Sequence, residues 1–233
     1  MIESMEQAFK NKPEDATEGE AAYGEMQRRV RDLGGALMIS SDRLEEMSRE
    51  SKTDEMTGLL NRKGLDEILT EILSYEQEEN RKPYAVFIDL NGFKNVNDKL
   101  GHAVGDQLLK DVGNILRQHT WKGDVKARLG GDEFVLVLSH IEKEEDARKV
   151  CERLQTELHA LRQELRQKGG EDFIFSASFG ITALQKGDSI QTFIQRADTH
   201  MYHAKKADTK KDGMIYADSD AKDEIKHDRA GIE

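Results

Sequence analysis

Acidic residues at two places suggest the first chemistry in this chain. Asp89 follows the apolar run Tyr84-Ala85-Val86-Phe87-Ile88, and Asp132 with Glu133 follows Gly130-Gly131 between two further apolar runs. If those runs pair in one sheet, the carboxylates converge. Hard oxygen ligands on rigid strand ends are what Mg²⁺ takes at about 2.1 Å, with substrate phosphates completing its octahedron. The two glycines let a ligand approach the backbone. The competing reading is that Asp132 initiates a turn and Asp89 caps a loop. Neither G-x-x-x-x-G-K-[ST] nor G-x-G-x-x-G occurs, so a phosphate site must be built without those loops. The one cysteine, Cys151 in A-R-K-V-C-E-R-L, cannot close an internal disulfide and reads as a buried structural thiol, in keeping with a reducing, cytoplasmic setting.

The elements that must position these acids follow from period and punctuation. Tyr84–Ile88 is short, apolar and β-branched, which predicts a buried strand ended by Asp89. Val125–Arg128 and Phe134–Leu138 flank the glycines as a hairpin. Leu65, Ile68, Leu69, Ile72 and Leu73 share one face of a helix over Leu65–Glu78, stopped before Pro83. Asn91 to Gly105 reads as loop and turn, and Leu108, Leu109, Val112, Ile115 and Leu116 define a second helix. A long helix is expected over Glu142–Lys168, a strand over Phe173–Thr182, a helix over Ile190–Ala207 and an edge strand at Met214–Tyr216. From Ala217 the chain is charged and expected to fray. This order, with its hairpin, predicts an α+β layered domain rather than a doubly wound sheet.

Upstream the composition changes. Residues 1–20 are acidic and nearly devoid of large apolar groups, too few to offset the entropy of ordering, so disorder is expected there. Over 21–50, Tyr23, Val30, Leu37 and Leu44 repeat at heptad spacing, with Met26, Leu33, Ser40 and Met47 interleaved. A parallel coiled-coil dimer is the sharper reading and an amphipathic helix packed on its own domain the plainer one. Gly34-Gly35 weakens such a seam by roughly 1 kcal/mol per glycine. A catalytic domain over 51–217 and a charged tail over 218–233 complete the expected organisation. Across 233 residues, 35 basic against 46 acidic side chains leave a net charge of −11, which argues against nonspecific binding to nucleic acid or anionic membranes. No apolar stretch approaches the ~20 residues of a membrane span, and M-I-E-S-M-E-Q lacks the order of a secretory leader, so neither is expected.

The string Arg128-Leu129-Gly130-Gly131-Asp132-Glu133-Phe134 resembles the signature of the GGDEF family of diguanylate cyclases. The resemblance extends over about residues 51 to 210. It includes D-E-M-T-G-L-L-N-R at Asp54–Arg62, D-L-N-G-F-K-N-V-N-D-K-L-G-H-A-V-G-D at Asp89–Asp106, S-F-G-I-T at Ser178–Thr182 and R-A-D-T-H-M-Y-H-A-K at Arg196–Lys205. What it implies is a central, mostly antiparallel sheet flanked by helices, like the palm of nucleotidyl cyclases and polymerases, with the hairpin at the active site. It also implies synthesis of cyclic di-GMP from two GTP, with two Mg²⁺ per site or Mn²⁺ in their place. Asp89, the Leu90 carbonyl and Asp132 match the family's metal ligands, and Glu133 matches a metal partner or the base for the attacking 3′-hydroxyl. Asn97 and Asp106 match the guanine readers, which suits a carboxylate accepting from N1–H and N2–H₂. His102 matches a further substrate contact, Gly92 and Phe93 the loop whose main-chain N–H groups hold the terminal phosphates, and Lys205 a phosphate lysine.

Two departures stand out. Where the family carries G-R-N after A-K-x-x, this chain has Asp208-Thr209-Lys210-Lys211, so a second phosphate cation is missing from its place. Where the family's product-inhibition site reads R-x-x-D, this chain has Trp121-Lys122-Gly123-Asp124. A tryptophan can stack on guanine but cannot make an arginine's forked hydrogen bonds, so feedback inhibition is expected to be weak. The function implied is a homodimeric diguanylate cyclase whose product acts on downstream cyclic di-GMP receptors. The rivals are a non-catalytic module binding GTP or cyclic di-GMP, and a relative making a mixed cyclic dinucleotide, which Asp106 disfavours.

Overall fold

The structure is a computed structural model that describes residues 25–31, 52–79, 82–170, 173–208 and 212–221. The chain divides into two units, Met1–Arg49 and Glu50–Glu233. In the first, residues 25–31 are helical, with Met26 60% and Val30 62% exposed. The rest of the heptad pattern and the acidic residues 1–20 lie outside the described residues.

The second unit runs α1 (Arg62–Glu79), β1 (Tyr84–Asn91), α2 (Phe93–Leu100), α3 (His102–His119), β2 (Val125–Gly130), β3 (Glu133–Leu138), α4 (Glu144–Gly169), β4 (Ser176–Ala183), α5 (Ile190–Ala207) and β5 (Ile215–Tyr216). Five strands form one sheet in the order β2-β3-β1-β4-β5. The β2–β3, β3–β1 and β1–β4 pairs are antiparallel, and β5 adds in parallel to β4. The fold is therefore the mixed, mostly antiparallel α+β sheet anticipated above.

Alternation along the central strands divides the core into two layers. Val86, Ile88 and Leu90 of β1 and Phe134, Leu136 and Leu138 of β3 pack towards Leu108, Leu109 and Val112 of α3 and Leu154 and Leu158 of α4. Ala85 and Phe87 of β1 and Val135 and Val137 of β3 face Leu65 and Leu69 of α1 and Phe193, Ala197 and Met201 of α5. Each such large side chain removed from water contributes about 1.5–3 kcal/mol. Gly180 brings α5 close over β4, since a Cβ there would lie 2.1 Å from the Ala197 carbonyl oxygen. Ser189 and Thr192 start α5 with a reciprocal capping box. Cys151 is fully buried in the α4 layer, and burial pushes its thiol pKa far up, so it is the inert thiol expected.

Three local expectations are corrected. The stretch Asn91 to Gly105 is not a loop: β1 continues through Asn91, α2 follows, and α3 opens at His102. Only Val96 of α2 is fully buried, with Phe93 and Leu100 partly buried beside it, and the helix is eight residues long, so the left-handed glycines at 92 and 101 that bracket it read as loop residues. Strand β4 begins at Ser176, because Phe173 and Phe175 plug the core before the ladder starts. Residues 217–221 are not frayed. Asp218 accepts hydrogen bonds from Thr182 Oγ1 and the Ala183 amide at 2.8 and 2.9 Å, and Arg148 pairs with Asp220. Among the described residues, no helix is long and apolar enough to cross a membrane.

Candidate active site

Asp89 and Glu133 are direct partners across the antiparallel β1–β3 pair. They share parity with Phe87 and Val135, so both carboxylates lie on the sheet face covered by α1 and α5. The β2–β3 turn is made by Gly130 and Gly131 at φ 146° and 53°, conformations that L side chains seldom adopt. It folds Asp132 back against β1, where the Leu90 amide donates to the Asp132 carbonyl at 3.2 Å. From α5, Lys205 Nζ donates to Asp89 Oδ1 at 2.7 Å, the carboxylate being buried and the ammonium half-exposed. Asp89, Leu90, Asp132, Glu133 and Lys205 are thus brought together.

Crowding of like charges shows in the acids' affinities for protons. Burial first, then the Asp89 carboxylate, raises the Asp132 pKa. Burial also leads for Glu133, followed by Asp198, Asp89 and Asp132, against a counteracting Arg62 guanidinium. Asp198 is itself raised by burial and by Asp89. Such repulsion is what a cation relieves. An all-oxygen donor set suits Mg²⁺ or Mn²⁺ rather than a thiophilic metal. Among the described residues, no three His, Cys, Asp or Glu side chains already stand as a ligand cluster. The donors are adjacent, and Lys205 rests on one of them.

The other expected residues continue from the same strand end. Gly92, at φ 81°, turns the chain from β1 into α2, and a Cβ there would meet the Ile174 carbonyl oxygen at 2.3 Å. Phe93 is the first residue of α2 and packs against the core. Asn97 and Asp106 flank the α2–α3 corner. A Cβ at Gly105 would fall 1.9 Å from Asn97 Oδ1, an atom that is buried without a hydrogen-bond partner. Glycine at 105 therefore makes room for the Asn97 amide, and Asp106 follows it, exposed, on α3. His102 is exposed at the start of α3. Lys210 and Lys211 lie outside the described residues.

Arg128 has a structural task. Its guanidinium spans both oxygens of Asp54 at 3.1 and 3.0 Å and donates to the Gly131 carbonyl at 3.0 and 2.8 Å. It ties the segment entering the domain to the turn that carries Asp132. At the other departure, Asp124 is spent internally, accepting from the Trp121 and Ser139 amides at 2.8 and 3.4 Å. Lys126 Nζ donates to the carbonyls of Trp121 and Asp124, and the exposed Trp121 ring lies against His140 at 3.5 Å between centroids. The hollow lined by His140, Lys143, Glu145 and Lys149 opens at the opposite end of β3 from Glu133 and takes no part in the carboxylate cluster.

Two residues of the cluster escaped the sequence reading. Asp198 lies seven positions before Lys205 on α5, two turns along the same face, a spacing that could have found it. Arg62 belongs to a stretch that reads as structural, and only the sheet reveals its place beside Glu133.

The family model described as diguanylate cyclase, GGDEF domain, matches residues 51–211. The chain belongs to this family. Among curated proteins it is 36% identical over 180 residues to the diguanylate cyclase DgcP of Escherichia coli, covering 73% of this chain and 52% of that one. It is 29% identical over 207 residues to the diguanylate cyclase DgcP of Pseudomonas aeruginosa, covering 89% of this chain and 30% of that protein. The chain thus spans between about a third and a half of the length of these GGDEF relatives. Among solved structures, the coiled coil and GGDEF domain of DgcB from Caulobacter crescentus, in complex with c-di-GMP, superposes with a TM-score of 0.71 at 25% identity, over 82% of this chain and 98% of that one. The Pseudomonas aeruginosa diguanylate cyclase SiaD, solved with its activator SiaC, gives 0.63 at 28% identity over 93% of this chain and 82% of that one.

Proposed function

We propose that this chain condenses two GTP into cyclic di-GMP and two pyrophosphates, acting as a homodimer that requires a divalent metal. The observation that carries this reading is the meeting of Asp89, Asp132 and Glu133 at one end of the β1–β3 pair, beside the Lys205 ammonium. Asp89, the Leu90 carbonyl, Asp132 and Glu133 would hold two Mg²⁺, or Mn²⁺. Bound there, the metal neutralises phosphate charge and makes the attacking hydroxyl more acidic.

The remaining roles belong to the chain's own groups. Gly92 and Phe93 open a helix whose first N–H groups point out of the ladder and can bind the terminal phosphates. Asn97 and Asp106 read guanine, and His102 touches the substrate nearby. Lys205 moves from Asp89 to the phosphates as substrate enters. Glu133 serves as a metal partner or takes the proton of the 3′-hydroxyl, and burial among carboxylates favours the second task by raising its proton affinity. The 3′-oxygen forms a bond to the α-phosphorus of the other nucleotide, and the bond to the β-phosphate bridge breaks with pyrophosphate leaving. Repetition in the opposite sense closes the ring.

Each domain supplies one GTP site, so two must face each other. The heptad segment Tyr23–Met47 supplies the dimer that sets this geometry. With Asp124 and Lys126 committed to their own turn, product feedback at Trp121–Asp124 is weak. The product signals through cyclic di-GMP receptors. Incubation with GTP and Mg²⁺ followed by chromatography should show cyclic di-GMP and pyrophosphate. Binding of GTP without turnover would replace the enzyme by a nucleotide-binding module.

A further inference from the structure

We infer that Arg62 is a phosphate-binding cation of this site, opposite Lys205; the inference rests on the reading that the site takes GTP. The placement comes from the sheet. Leu60 forms a parallel bridge with Ala127 on the outer edge of β2, its amide donating to the Lys126 carbonyl at 3.1 Å and its carbonyl accepting from the Arg128 amide at 2.8 Å. Two residues further, Arg62 begins α1 alongside the end of β2, where Gly130 pairs with Glu133 of β3. Helix α1 covers the same sheet face to which Asp89 and Glu133 point. The guanidinium therefore stands at the rim of the carboxylate cluster, on the side away from α5 and Lys205. Its charge is felt at Glu133, whose proton affinity it lowers.

The surroundings give Arg62 no evident structural task. It is exposed, and among the described residues its side chain makes no hydrogen bond or ion pair within 4.0 Å. It is the first residue of α1, followed by Lys63, with no acidic residue in that turn. The helix macrodipole disfavours cations at an N-terminus, and an arriving anion relieves that cost. A triphosphate entering between α1 and α5 brings about four negative charges into a cleft that already holds Asp89, Asp132, Glu133 and Asp198. Lys205 is one compensating cation. Arg62 offers a second, with the planar fork that matches two phosphate oxygens.

The test is calorimetric titration of the full chain with 3′-deoxy-GTP, which cannot cyclise, and with guanosine, both in Mg²⁺. Arg62→Ala should weaken 3′-deoxy-GTP about tenfold, leaving guanosine affinity and Tm unchanged, because a charge-assisted contact to phosphate is lost. Arg62→Lys should recover part of the loss, since it keeps the charge and loses the fork. Unchanged affinity for 3′-deoxy-GTP in Arg62→Ala would overturn the inference. So would a parallel loss for guanosine, which would make the residue structural. A wild-type chain that binds no 3′-deoxy-GTP would overturn the functional reading itself.

Discussion

The acids of the site hold opposing electrostatic obligations, and their sign gives a stability prediction. Burial and neighbouring carboxylates raise the Glu133 and Asp132 pKa values above those of an unfolded chain. An acid raised on folding binds protons more tightly in the native state, so stability falls as pH climbs from the unfolded value, near 4, through the raised one. Glu133→Gln removes that burden. In metal-free buffer it should melt higher than wild type at pH 7, with the difference vanishing near pH 4. Equal melting temperatures at both pH values would mean that Glu133 is not under such repulsion. The carboxylates were legible in the sequence because glycine punctuation and apolar runs fix both strands' registers. Asp198 was legible only through its seven-residue spacing from Lys205, and Arg62 was not, since the Leu60–Ala127 bridge that seats it joins segments far apart in the chain.

Among the elements, the β2–β3 hairpin depends on a tie that its own strands do not contain. Arg128 joins Asp54 to the Gly131 carbonyl, its side chain being 10% exposed and that of Asp54 22%. The same Asp54 caps the turn at Thr57, accepting from its amide at 2.9 Å and its hydroxyl at 2.6 Å. Arg128→Ala leaves a partly buried carboxylate without its guanidinium partner and should destabilise the domain by roughly 2–3 kcal/mol in urea unfolding. A change below about 0.5 kcal/mol, the range of an ordinary surface substitution, would show the tie to be incidental. Helices α1, α4 and α5 and strands β1 and β3 were legible because each buries one clear apolar face or run. Helix α2 was not, since it is only eight residues long and its ends are set by left-handed glycines. The docking of 217–221 was hidden for another reason. Its charged residues read as solvated until Thr182, Arg148 and Glu144 are placed opposite them.

At the scale of the whole molecule, the proposed reaction needs two sites facing each other, and the segment before residue 51 is the means we propose. Met26 and Val30 stand exposed on their helical turn, as seam residues awaiting a partner would. Replacing Val30 and Leu37 by Asp puts four charges into a dimer seam, where unpaired burial costs several kcal/mol. Specific activity should then fall at low enzyme concentration and recover as concentration rises. A monomeric mass by light scattering with undiminished activity at nanomolar enzyme would remove the segment from the account.

In the proposed reaction the carboxylates gathered by β1 and the β2–β3 turn perform the synthesis. Its most direct measurement is the initial rate of cyclic di-GMP formation from GTP and Mg²⁺ by Asp132→Asn beside wild type, both checked for equal melting. Asp132 lies half-buried in the β2–β3 turn, and Asn matches it in shape, so the substitution keeps the fold while removing charge aimed at the transition state, commonly worth ~3 kcal/mol or more. The expected result is a loss of at least about a hundredfold at unchanged Tm. Turnover by Asp132→Asn at the wild-type rate would contradict it.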